Sequence, residues 1–499
     1  MRLNEILENE RCEVTAGNSG RKLLPGDIEV TSICNDTRKL TPGCFFICII
    51  GANRDSHDLA AEAAEKGAAA IAVCHEVELP EGCETAIVRV ADTRASMARF
   101  AAAYYGHPAE KLRTIGITGT KGKTTSTYLI RQMLENAGYK TGLIGTVECI
   151  IGDEHIPSHN TTPESIELQE MLRRMVDDDH AAVVMEVSSQ ALMLHRTDGF
   201  IFDVGIFTNL EEDHIGPGEH KDFADYLHCK SLLFKQCRVG IGNMDDAHFK
   251  EVMEGHTCEL ITYGFSAGAD YRAADPMLLK KPGQLGVIFQ VSGRIDMRAE
   301  FRMPGRFSVY NALCAIAVAR QFDCDELQIR DALQRVSVRG RIEMIPVSHE
   351  FTLLIDYAHN AMALENLLVT LKEYRPGRLI TLFGCGGNRA KSRRYQMGEV
   401  SGRISDLTVI TSDNPRFEDP MDIIHDIEEG IAKTTGAYIE IPDRKEAIRY
   451  CIENGEPGDI IVLAGKGHED YQEIKGVKYP MDERDLIRDI LEEIKAGKG

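Results

Sequence analysis

The sequence lacks a surplus of positive charge, and this absence excludes two classes of partner. Its 499 residues include 57 Lys+Arg against 78 Asp+Glu, which gives a formal net charge of −21 and a pI near 5.3. No overall field draws such a chain to nucleic acid or to an anionic membrane surface. We therefore expect neither as a partner, and an anionic substrate must be held by local groups.

Paired cysteines and long apolar runs are also missing. The 14 cysteines form no CxxC pair and show none of the Cys/His spacing of a zinc site. A chain of this length does not need disulfides, so we expect reduced thiols. The start, MRLNEILENERCEV, is interrupted by charges, and nowhere do eighteen apolar residues follow one another. These features predict a cytoplasmic protein without signal peptide or membrane span, and we expect a monomer.

Apolar segments alternate with helical patterns along three parts of the chain, which predicts an α/β fold. Residues 1–109 contain short runs such as CFFICIIG around an Ala-rich stretch, typical of a small α/β domain. Residues 110–345 restart at TIGITG and continue with buried-strand candidates, as a central domain with a parallel sheet requires. Between 271 and 305 the alternation predicts antiparallel hairpins. Residues 346–499 form a second doubly wound, Rossmann-like unit.

The segment TIGITGTKGKTTS is the strongest local motif. A strand enters a Gly-rich loop that opens a helix, which is the context of a phosphate-binding loop. Backbone N–H groups of Gly119 to Lys123 can converge on phosphate oxygens, with Lys123 on the terminal phosphates and the Thr124 hydroxyl on magnesium. The general P-loop pattern would require glycine at Ile117, so this is a compact variant. Phosphate binding alone leaves motor ATPase, kinase and ligase open.

Two further side chains follow consecutive predicted strands. Glu186 ends the strand AAVVMEVSS, and His214 lies in TNLEEDH after the next one. The carboxyl ends of parallel strands meet at one edge of a sheet, so both could approach a metal ion there. An exposed cap or a satisfied core position is the alternative for each.

The ordered motifs across the chain resemble those of the Mur ligases, and among these the branch that adds the third residue of the muramoyl peptide. The resemblance spans essentially the whole sequence. It is carried by NDTR, GTKGKTT, NTTPE, EVSSQAL..HR, TNL..DH, Y...K..LF, PGRF..YNALCA, GR.E, DYAH, GCGGNR, DNPR and GKGHEDYQ. It implies a three-domain architecture with a central P-loop ATPase domain, and a cytosolic enzyme of peptidoglycan synthesis.

The resemblance also implies a reaction. ATP would phosphorylate a substrate carboxylate to an acyl phosphate, which an incoming amine then attacks. Carboxylates are poor electrophiles because oxide is a poor leaving group, and phosphorylation corrects this. Two Mg²⁺ ions would neutralise the charge of the phosphates. The implied metal-binding residues are Thr124, Glu186, His214 and Lys230, the last carrying a CO₂-derived carbamate; Lys123, Lys230, His214 and Glu186 are the implied catalytic set.

The binding residues implied by the resemblance fall into three groups. Those for ATP are Gly119, Thr120, Lys121, Gly122, Lys123, Thr124, Thr125, Asn311, Arg341, Asp356 and His359. Those for the uridine nucleotide are Asn35, Thr37, Ala52, Asn53 and Arg54. Those for the sugar and peptide of UDP-N-acetylmuramoyl-L-alanyl-D-glutamate are Asn160, Thr161, Thr162, Ser188 and Arg196. Leu194, where relatives often have glutamine, weakens one of these contacts.

The amino-acid site distinguishes the possible substrates. Meso-diaminopimelate is lysine with a distal carboxylate, and planar arginine forks bind carboxylates bidentately. Arg416 of DNPR and Arg389 of GCGGNR are the candidate forks, and a surface ion pair of Arg416 with Glu418 or Asp419 is the alternative. The full implied set is Arg389, Asp413, Asn414, Pro415, Arg416, Gly465 and Glu469.

Other functions remain open at this stage. A related ligase could add another amino acid such as L-lysine or use a related acceptor. DHIGPGEH, DYAHNAM, GGNRA and Thr37 depart from the commoner family pattern and suggest a divergent branch. Folylpolyglutamate synthetase relatives lack the uridine-nucleotide domain and DNPR. A silent binding protein would be expected to have lost Lys123, Glu186, His214 or Lys230, and a motor or switch GTPase would need coupling elements that are not found.

Overall fold

The computed structural model describes residues 1–8, 10–17, 19–51, 54–216, 218–281 and 283–497. Two compact units are present. The first contains Met1–Arg272 with Leu313–Ile329, and the second contains Ala273–Ala312 with Arg330–Gly499. The α/β class is confirmed in both. The domain boundaries near residues 110 and 346 stay predictions.

The first unit begins with a five-stranded sheet in the order β1-β5-β4-β3-β2, parallel except for β1. All residues of β3 and β4 are buried, because helices and loops cover both faces of a parallel sheet. The elements are α1 Leu3–Leu7, β1 Glu13–Ala16, β2 Ser32–Cys34, β3 Cys44–Ile47, α2 Ala60–Glu65, β4 Ala70–Val73, β5 Ala86–Arg89 and α3 Thr93–Tyr104.

A larger sheet follows in the same unit. Its elements are β6 Arg113–Thr118, α4 Lys123–Asn136, β7 Thr141–Ile144, β8 Glu148–Ile151, β9 Glu154–Pro157, α5 Ser165–Asp177, β10 Ala182–Glu186, α6 Ser189–Met193, β11 Phe202–Phe207, α7 Phe223–Ser231, β12 Cys237–Asn243, α8 Phe249–Val252 and β13 Glu259–Gly264. The strand order is β13-β12-β11-β6-β10-β7-β8-β9. Strands β13 to β7 are parallel, so the ends of β6, β7, β10 and β11 lie at one edge.

The segment after β13 supplies three strands and two helices. These are β14 Tyr271–Lys281, β15 Gln284–Gly293, β16 Met297–Phe301, α9 Arg306–Gln321 and α10 Glu326–Arg335. Strand β14 pairs parallel with β13. Strands β15 and β16 pair antiparallel from Val287 to Val291, with Val287 opposite Phe301. The predicted hairpin is therefore present, with alternating buried residues along both strands.

The second unit contains the doubly wound sheet predicted for the C-terminal part. Its elements are β17 Glu343–Ile345, β18 Thr352–Asp356, α11 Ala361–Lys372, β19 Leu379–Phe383, α12 Ser392–Ile404, β20 Leu407–Ile410, α13 Pro420–Ile431, β21 Tyr438–Glu440, α14 Arg444–Glu453, β22 Ile460–Ala464, β23 Tyr471–Ile474, β24 Val477–Pro480 and α15 Glu483–Gly497. The order is β17-β18-β22-β19-β20-β21, parallel except for β17, and β23 pairs with β24 separately. Helices α11 to α13 cover one face, and α14 and α15 cover the other.

Candidate functional site

The phosphate-loop motif forms the predicted turn between β6 and α4. Gly119 and Gly122 both adopt positive φ, of 146° and 85°, a region that glycine enters without steric cost. A Cβ on Gly119 would lie 1.9 Å from Thr208 Oγ1. The loop therefore requires glycine for its conformation and also for its packing. Thr124 and Thr125 lie buried in the first turn of α4.

Residues that follow β11 hold this loop in place. The Lys121 N–H donates to Asn209 Oδ1 at 2.9 Å, and Asn209 Nδ2 donates to the Lys121 carbonyl at 2.9 Å. Thr208 Oγ1 donates to the same carbonyl at 2.8 Å. The Lys121 ammonium lies 2.6 Å from Glu211. The TNL motif thus fixes the backbone that would cradle phosphates.

Two lysine side chains converge on one carbonyl of the loop. Lys123 Nζ donates to Gly119 O at 2.8 Å and to Thr120 O at 3.2 Å. Lys230 Nζ, from α7, donates to Gly119 O at 3.0 Å. Lys123 and Lys230 therefore contact the same loop, and their catalytic roles stay predictions.

Lys230 is the more unusual of the two lysines. Its side chain is 2% exposed, and its Nζ lies 4.4 Å from the centroid of the Tyr226 ring. Burial, and then the positive charge of Lys123, hold the pKa of Lys230 well below the usual lysine range. Tyr226 is itself hydrogen-bonded to Thr120 Oγ1 at 3.0 Å. A neutral amine at Lys230 is favoured by this environment.

Glu186 ends β10 and joins it to the loop after β7 and to the first turn of α4. Its Oε1 accepts hydrogen bonds from Thr124 Oγ1 and from the Thr146 N–H, both at 2.9 Å, and its Oε2 accepts one from Thr146 Oγ1 at 3.0 Å. Neighbouring ligands of an octahedral Mg²⁺ at about 2.1 Å are separated by about 3.0 Å. The spacing of Thr124 Oγ1 and Glu186 Oε1 and their hard oxygen character therefore fit Mg²⁺.

His214 is placed differently from the other metal candidates. It adopts a φ of 55°, its side chain is 58% exposed, and its ring nitrogens lie 3.8 Å from Asp213 and 3.5 Å from Glu219. Its ring centroid is 6.2 Å from that of Tyr226. Within the described ranges, no hydrogen bond joins His214 to Thr124 or Glu186, so its role as a metal ligand stays a prediction.

The residues predicted for the sugar and peptide surround the end of β10. Thr162 Oγ1 donates to the Glu186 carbonyl at 2.9 Å and accepts from the Ser188 N–H at 3.1 Å. Arg196 Nη1 donates to the Thr162 carbonyl at 2.9 Å, and its other terminal nitrogen lies 2.6 Å from Glu164. Thr161 Oγ1 lies 3.1 Å from Thr146 Oγ1, while Asn160 is exposed.

Three buried polar atoms in this cluster have no hydrogen-bond partner in the part of the chain that the structure describes. They are Arg94 Nη1, Glu164 Oε2 and Arg196 Nε. Buried polar atoms are normally satisfied. These three atoms are therefore available to a polar ligand.

The predicted uridine-nucleotide residues lie on the loops after β2 and β3. Asn35 and Thr37 are half-buried, and the Thr37 carbonyl accepts from Lys66 Nζ at 3.1 Å. In the same NDTR motif, hydrogen bonds from Arg38 lower the pKa of Asp36 to about 2. Arg54 is exposed. Ala52 and Asn53, also predicted here, lie outside the described residues.

The second unit contains the remaining ATP candidates. Asn311 is buried in α9. Arg341 lies over the Tyr357 ring at 5.0 Å, and His359 Nδ1 lies 3.0 Å from the Tyr357 carbonyl. Asp356 accepts the Ile342 and Ala358 N–H groups at 2.9 and 2.8 Å, while burial raises its pKa.

Gly340 allows the GR.E segment to pack closely against the GKGHE segment. A Cβ there would lie 2.2 Å from the His468 nitrogen and 2.3 Å from the Gly467 carbonyl carbon. Only glycine permits this contact between the GR.E and GKGHE segments.

The predicted amino-acid residues are organised by a lysine. Lys466 is 0% exposed, and its Nζ donates to Asn414 Oδ1 at 3.1 Å, to Glu469 Oε2 at 2.8 Å and to the Tyr471 carbonyl. Asn414 Nδ2 also donates to Glu469 Oε2 at 3.0 Å. Gly465, with a φ of 104°, would place a Cβ 3.0 Å from Asp413 Oδ2. DNPR and GKGHE therefore form one hydrogen-bonded cluster.

Arg416 does not form either of the surface ion pairs considered from the sequence. Its Nε donates to Glu473 Oε2 at 3.0 Å, and its Nη1 donates to the Gly387 carbonyl at 2.7 Å. Glu418 instead binds Arg394 at 2.8 Å, and Asp419 caps α13.

Arg389 is exposed, and its Cγ lies 3.9 Å from the Cβ position of Gly386, a position that is 3.2 Å from Arg416 Nη1. No ion pair of Arg389 is present within the described ranges. The two arginines that were predicted to bind one carboxylate thus lie on either side of Gly386.

Four residues of these clusters were not identified from the sequence. Thr146 lies two residues after the end of β7, and Asn209 lies two residues after the end of β11, in the TNL motif. Lys466 lies within GKGHE, between residues that were predicted. Glu473 has no motif of its own. The position of the first three beside known motifs was a usable signal, whereas Glu473 reaches Arg416 through the β23–β24 hairpin alone.

Helices long and apolar enough to cross a membrane are absent from the described ranges. Two family profiles match: Mur ligase middle domain over residues 117–319, and Mur ligase, glutamate ligase domain over residues 340–467.

A Caldanaerobacter subterraneus subsp. tengcongensis protein named UDP-N-acetylmuramoyl-L-alanyl-D-glutamate--2,6-diaminopimelate ligase is 42% identical over 496 residues, 99% of both chains. A Clostridium acetobutylicum protein of the same name, numbered 1, is 40% identical over 99% of this chain and 100% of its own. A solved structure titled with that ligase name aligns with a TM-score of 0.73 at 28% identity, covering 99% of both chains. The chain therefore belongs to the Mur ligase family.

Proposed function

We propose that this protein joins the glutamyl carboxylate of UDP-N-acetylmuramoyl-L-alanyl-D-glutamate to an amino group of meso-diaminopimelate at the expense of ATP. Full-length relatives carry that ligase name. The observation that carries the proposal is the pair of clusters: a phosphate loop joined to Glu186 in the first unit, and Arg416 beside Asn414 and Lys466 in the second. The first suits carboxylate activation, and the second suits recognition of an amino acid with a distal carboxylate.

The first cluster would bind the triphosphate. Backbone N–H groups of the loop and the Lys123 ammonium would hold the phosphates. Thr124 and Glu186, with His214, would hold Mg²⁺. Magnesium bound there would neutralise the charge that develops during phosphoryl transfer. Thr146 keeps the Glu186 carboxylate oriented, since it donates two hydrogen bonds to it.

Lys230 fits the carbamate that the resemblance implies. CO₂ reacts with a neutral amine, and burial favours that form of Lys230. A carbamate would supply carboxylate-like oxygens for a second Mg²⁺. Tyr226 packs against the side chain and fixes its direction toward the loop.

The remaining predicted residues would bind the organic parts of the substrates. Thr162 contacts Glu186, and Arg196 contacts Thr162. We infer that the substrate carboxylate would bind near them, with Asn160, Thr161 and Ser188 as the other predicted sugar and peptide ligands. Asn35, Thr37, Ala52, Asn53 and Arg54 would hold the uridine nucleotide. Asn311, Arg341, Asp356 and His359 stay predicted ATP-binding residues on the resemblance alone.

The amino acid would lie at the DNPR and GKGHE segments. Arg416 and Arg389 would pair with the distal carboxylate, and Asp413, Asn414, Glu469 and Gly465 would receive the rest of the molecule. A substrate without that carboxylate would remove water from the two guanidinium groups and give them no anionic partner, which is unfavourable. L-lysine is therefore expected to be a poor substrate.

The test is ATP-dependent phosphate release with the UDP-muramoyl dipeptide and a panel of amino acids, with the product identified by mass spectrometry. We expect release to require both substrates and the product to be the diaminopimelate tripeptide. Release with a different amino acid, or without the UDP-muramoyl dipeptide, would contradict the proposal. Location in the cytoplasm and a monomeric state stay predictions.

A further inference from the structure

Four side chains of metal-ligating type lie together at one edge of the first sheet. Asp55 and His57 follow β3, and Cys74 and His75 directly follow β4. Strands β3 and β4 are parallel neighbours, so their carboxyl ends meet at the same edge. The donors come from two separate strand ends, and their spacing in the sequence is therefore not that of a zinc finger. None of the four has a role in the proposed ligase reaction.

His57 is held by a hydrogen bond on each ring nitrogen. Its Nδ1 lies 2.6 Å from Asp55 Oδ1, and its Nε2 accepts the Cys74 N–H at 3.1 Å. The Nε2 atom must therefore carry the lone pair, and Nδ1 carries the proton that Asp55 accepts. Metal-binding histidines show the same arrangement, in which a carboxylate holds the second ring N–H. The His57 side chain is 1% exposed, so the direction of this lone pair is fixed.

The Cys74 thiol lies beside that lone pair. Its Sγ is 3.5 Å from His57 Nε2. A tetrahedral Zn²⁺ with a sulfur at about 2.3 Å and a nitrogen at about 2.0 Å separates these two ligand atoms by about 3.5 Å. The two atoms thus already have the separation that a shared Zn²⁺ requires, and the cation would replace the Cys74 N–H at Nε2. Cys74 is half-buried, so its thiol remains accessible from solvent.

His75 and Asp55 add two donors on the solvent side. His75 Nε2 lies 2.9 Å from Asp55 Oδ2, and its ring stacks on that of His57 with the centroids 3.9 Å apart. One ligand atom from each of Asp55, His57 and His75 lies within 4.8 Å of the others. The His75 side chain is 47% exposed, which leaves its ring free to turn toward a cation.

We propose that Asp55, His57, Cys74 and His75 form a binding site for one thiophilic divalent cation of the Zn²⁺ type. His57 and Cys74 are the fixed ligands and His75 is the mobile one, while Asp55 orients the imidazoles. Thiol and imidazole ligands favour Zn²⁺, whereas Mg²⁺ prefers oxygen ligands such as those at Glu186. Binding converts the Cys74 thiol to a thiolate and releases its proton to solvent. The inference does not depend on the proposed function.

The expected consequence of binding is a more stable first sheet. The cation would link the segment after β3 to the end of β4, and a ligand that binds only the folded protein raises its unfolding temperature. Other groups of histidine, cysteine and acidic side chains in the described part of the chain could compete for the ion. These groups are His220, Asp225 and Cys229, and His425, Glu428 and Glu440.

The test uses Co²⁺ as a spectroscopic substitute for Zn²⁺. The full-length protein is treated with a chelator, dialysed, and titrated with Co²⁺ alone, without nucleotide or substrates. Absorption from sulfur-to-cobalt charge transfer appears only when a thiolate binds the ion, so it does not report the oxygen ligands of a magnesium site. Subsequent titration with Zn²⁺ should remove the absorption, because Zn²⁺ binds such ligands more tightly than Co²⁺.

We expect one equivalent of Co²⁺ to give this absorption in the wild type, and Cys74→Ser to abolish it. Asp55→Asn and His75→Ala should each weaken Co²⁺ binding by at least about tenfold. Cys83→Ser, which removes another half-buried thiol, is the matched control and should leave the absorption unchanged. Cys229→Ser should also leave it unchanged, since that thiol belongs to a competing group. Zn²⁺ should raise the unfolding temperature of the wild type more than that of Cys74→Ser.

Absence of the absorption in the wild type would overturn the inference, as would its persistence in Cys74→Ser or its loss in Cys229→Ser alone. If Cys74→Ser fails to fold, Asp55→Asn and His75→Ala decide, because both side chains are partly exposed. Weakened Co²⁺ binding in these variants supports the site, and unchanged binding contradicts it. Ligase activity is not measured, so these outcomes leave the proposed function to its own test.

Discussion

Lys123 and Lys230 donate hydrogen bonds to the same carbonyl oxygen, that of Gly119, at 2.8 and 3.0 Å. Burial makes charging Lys230 costly, and the positive charge of Lys123 adds to that cost. The pKa of Lys230 is therefore lowered well below the usual lysine range. The environment therefore favours an amine at Lys230 that is available for modification.

Lys123→Ala should abolish ATP-dependent ligation without unfolding the protein. It removes the side-chain cation of a loop that is otherwise built from backbone groups, and loss of one such electrostatic contact commonly costs 10²- to 10³-fold in rate. Phosphate release and thermal unfolding measure the two effects. Lys140→Ala, which removes an exposed lysine paired with Asp178, is the control. Near wild-type turnover in Lys123→Ala would refute the assignment of the loop.

Lys230→Ala should be nearly inactive, and formate or acetate should restore part of the activity. Either anion can supply the oxygens that the missing carbamate would provide. Turnover of the variant is measured against anion concentration, with chloride as the control. Full activity of the wild type after exclusion of CO₂, together with a bare amine at Lys230 in a high-resolution native crystal structure, would contradict the carbamate proposal.

Glu186→Gln should raise the Mg²⁺ concentration needed for half-maximal phosphate release by about tenfold or more. The amide preserves the shape of the side chain but removes the charge that favours a divalent cation. Titration of activity with Mg²⁺ checks this, with Glu254→Gln as an exposed control. An unchanged Mg²⁺ requirement would indicate that Glu186 serves only to orient Thr124 and Thr146.

His468 should make the protein less stable as the pH falls. Burial, and then the charge of Arg341, lower the pKa of His468 to about 4, below its ordinary value near 6.5. Between these values the unfolded chain binds a proton that the folded protein does not, so stability is complete above pH 6.5 and is lost as the pH falls toward 4. The loss is about 2 kcal/mol after allowance for partial exposure. The free energy of unfolding in urea is measured between pH 4 and 7 for the wild type and for His468→Gln. The same pH dependence in both proteins would contradict the prediction.

The sequence predicted the features that follow from local pattern. Gly119 and Gly122 adopt the backbone angles that a phosphate loop requires, and Glu186 ends a central parallel strand, as its apolar run indicated. The doubly wound second sheet follows from the same alternation. These predictions succeeded because buried strands, glycine turns and strand ends depend on residues close together in the chain.

Contacts between distant segments could not be read in the same way. Arg416 was considered beside Glu418 and Asp419 because they are near in sequence, but its left-handed backbone conformation turns the side chain toward Glu473. Lysine is usually a surface residue, yet Lys466 is buried. Its ammonium donates to Glu469 and Tyr471 on its own segment and to Asn414, which is distant in the sequence. Such partners are set by packing, which a single sequence does not encode locally.

The most direct measurement of the central claim is kcat/KM for meso-diaminopimelate and for L-lysine, with ATP and the UDP-muramoyl dipeptide saturating. Arg416 and Arg389 have a carboxylate to pair with in diaminopimelate alone, which should favour it by several kcal/mol, on the order of a thousandfold. Arg416→Ala should lower kcat/KM for meso-diaminopimelate more than for L-lysine, so that the ratio of the two values falls. Equal values for the two amino acids in the wild type would contradict the proposed substrate.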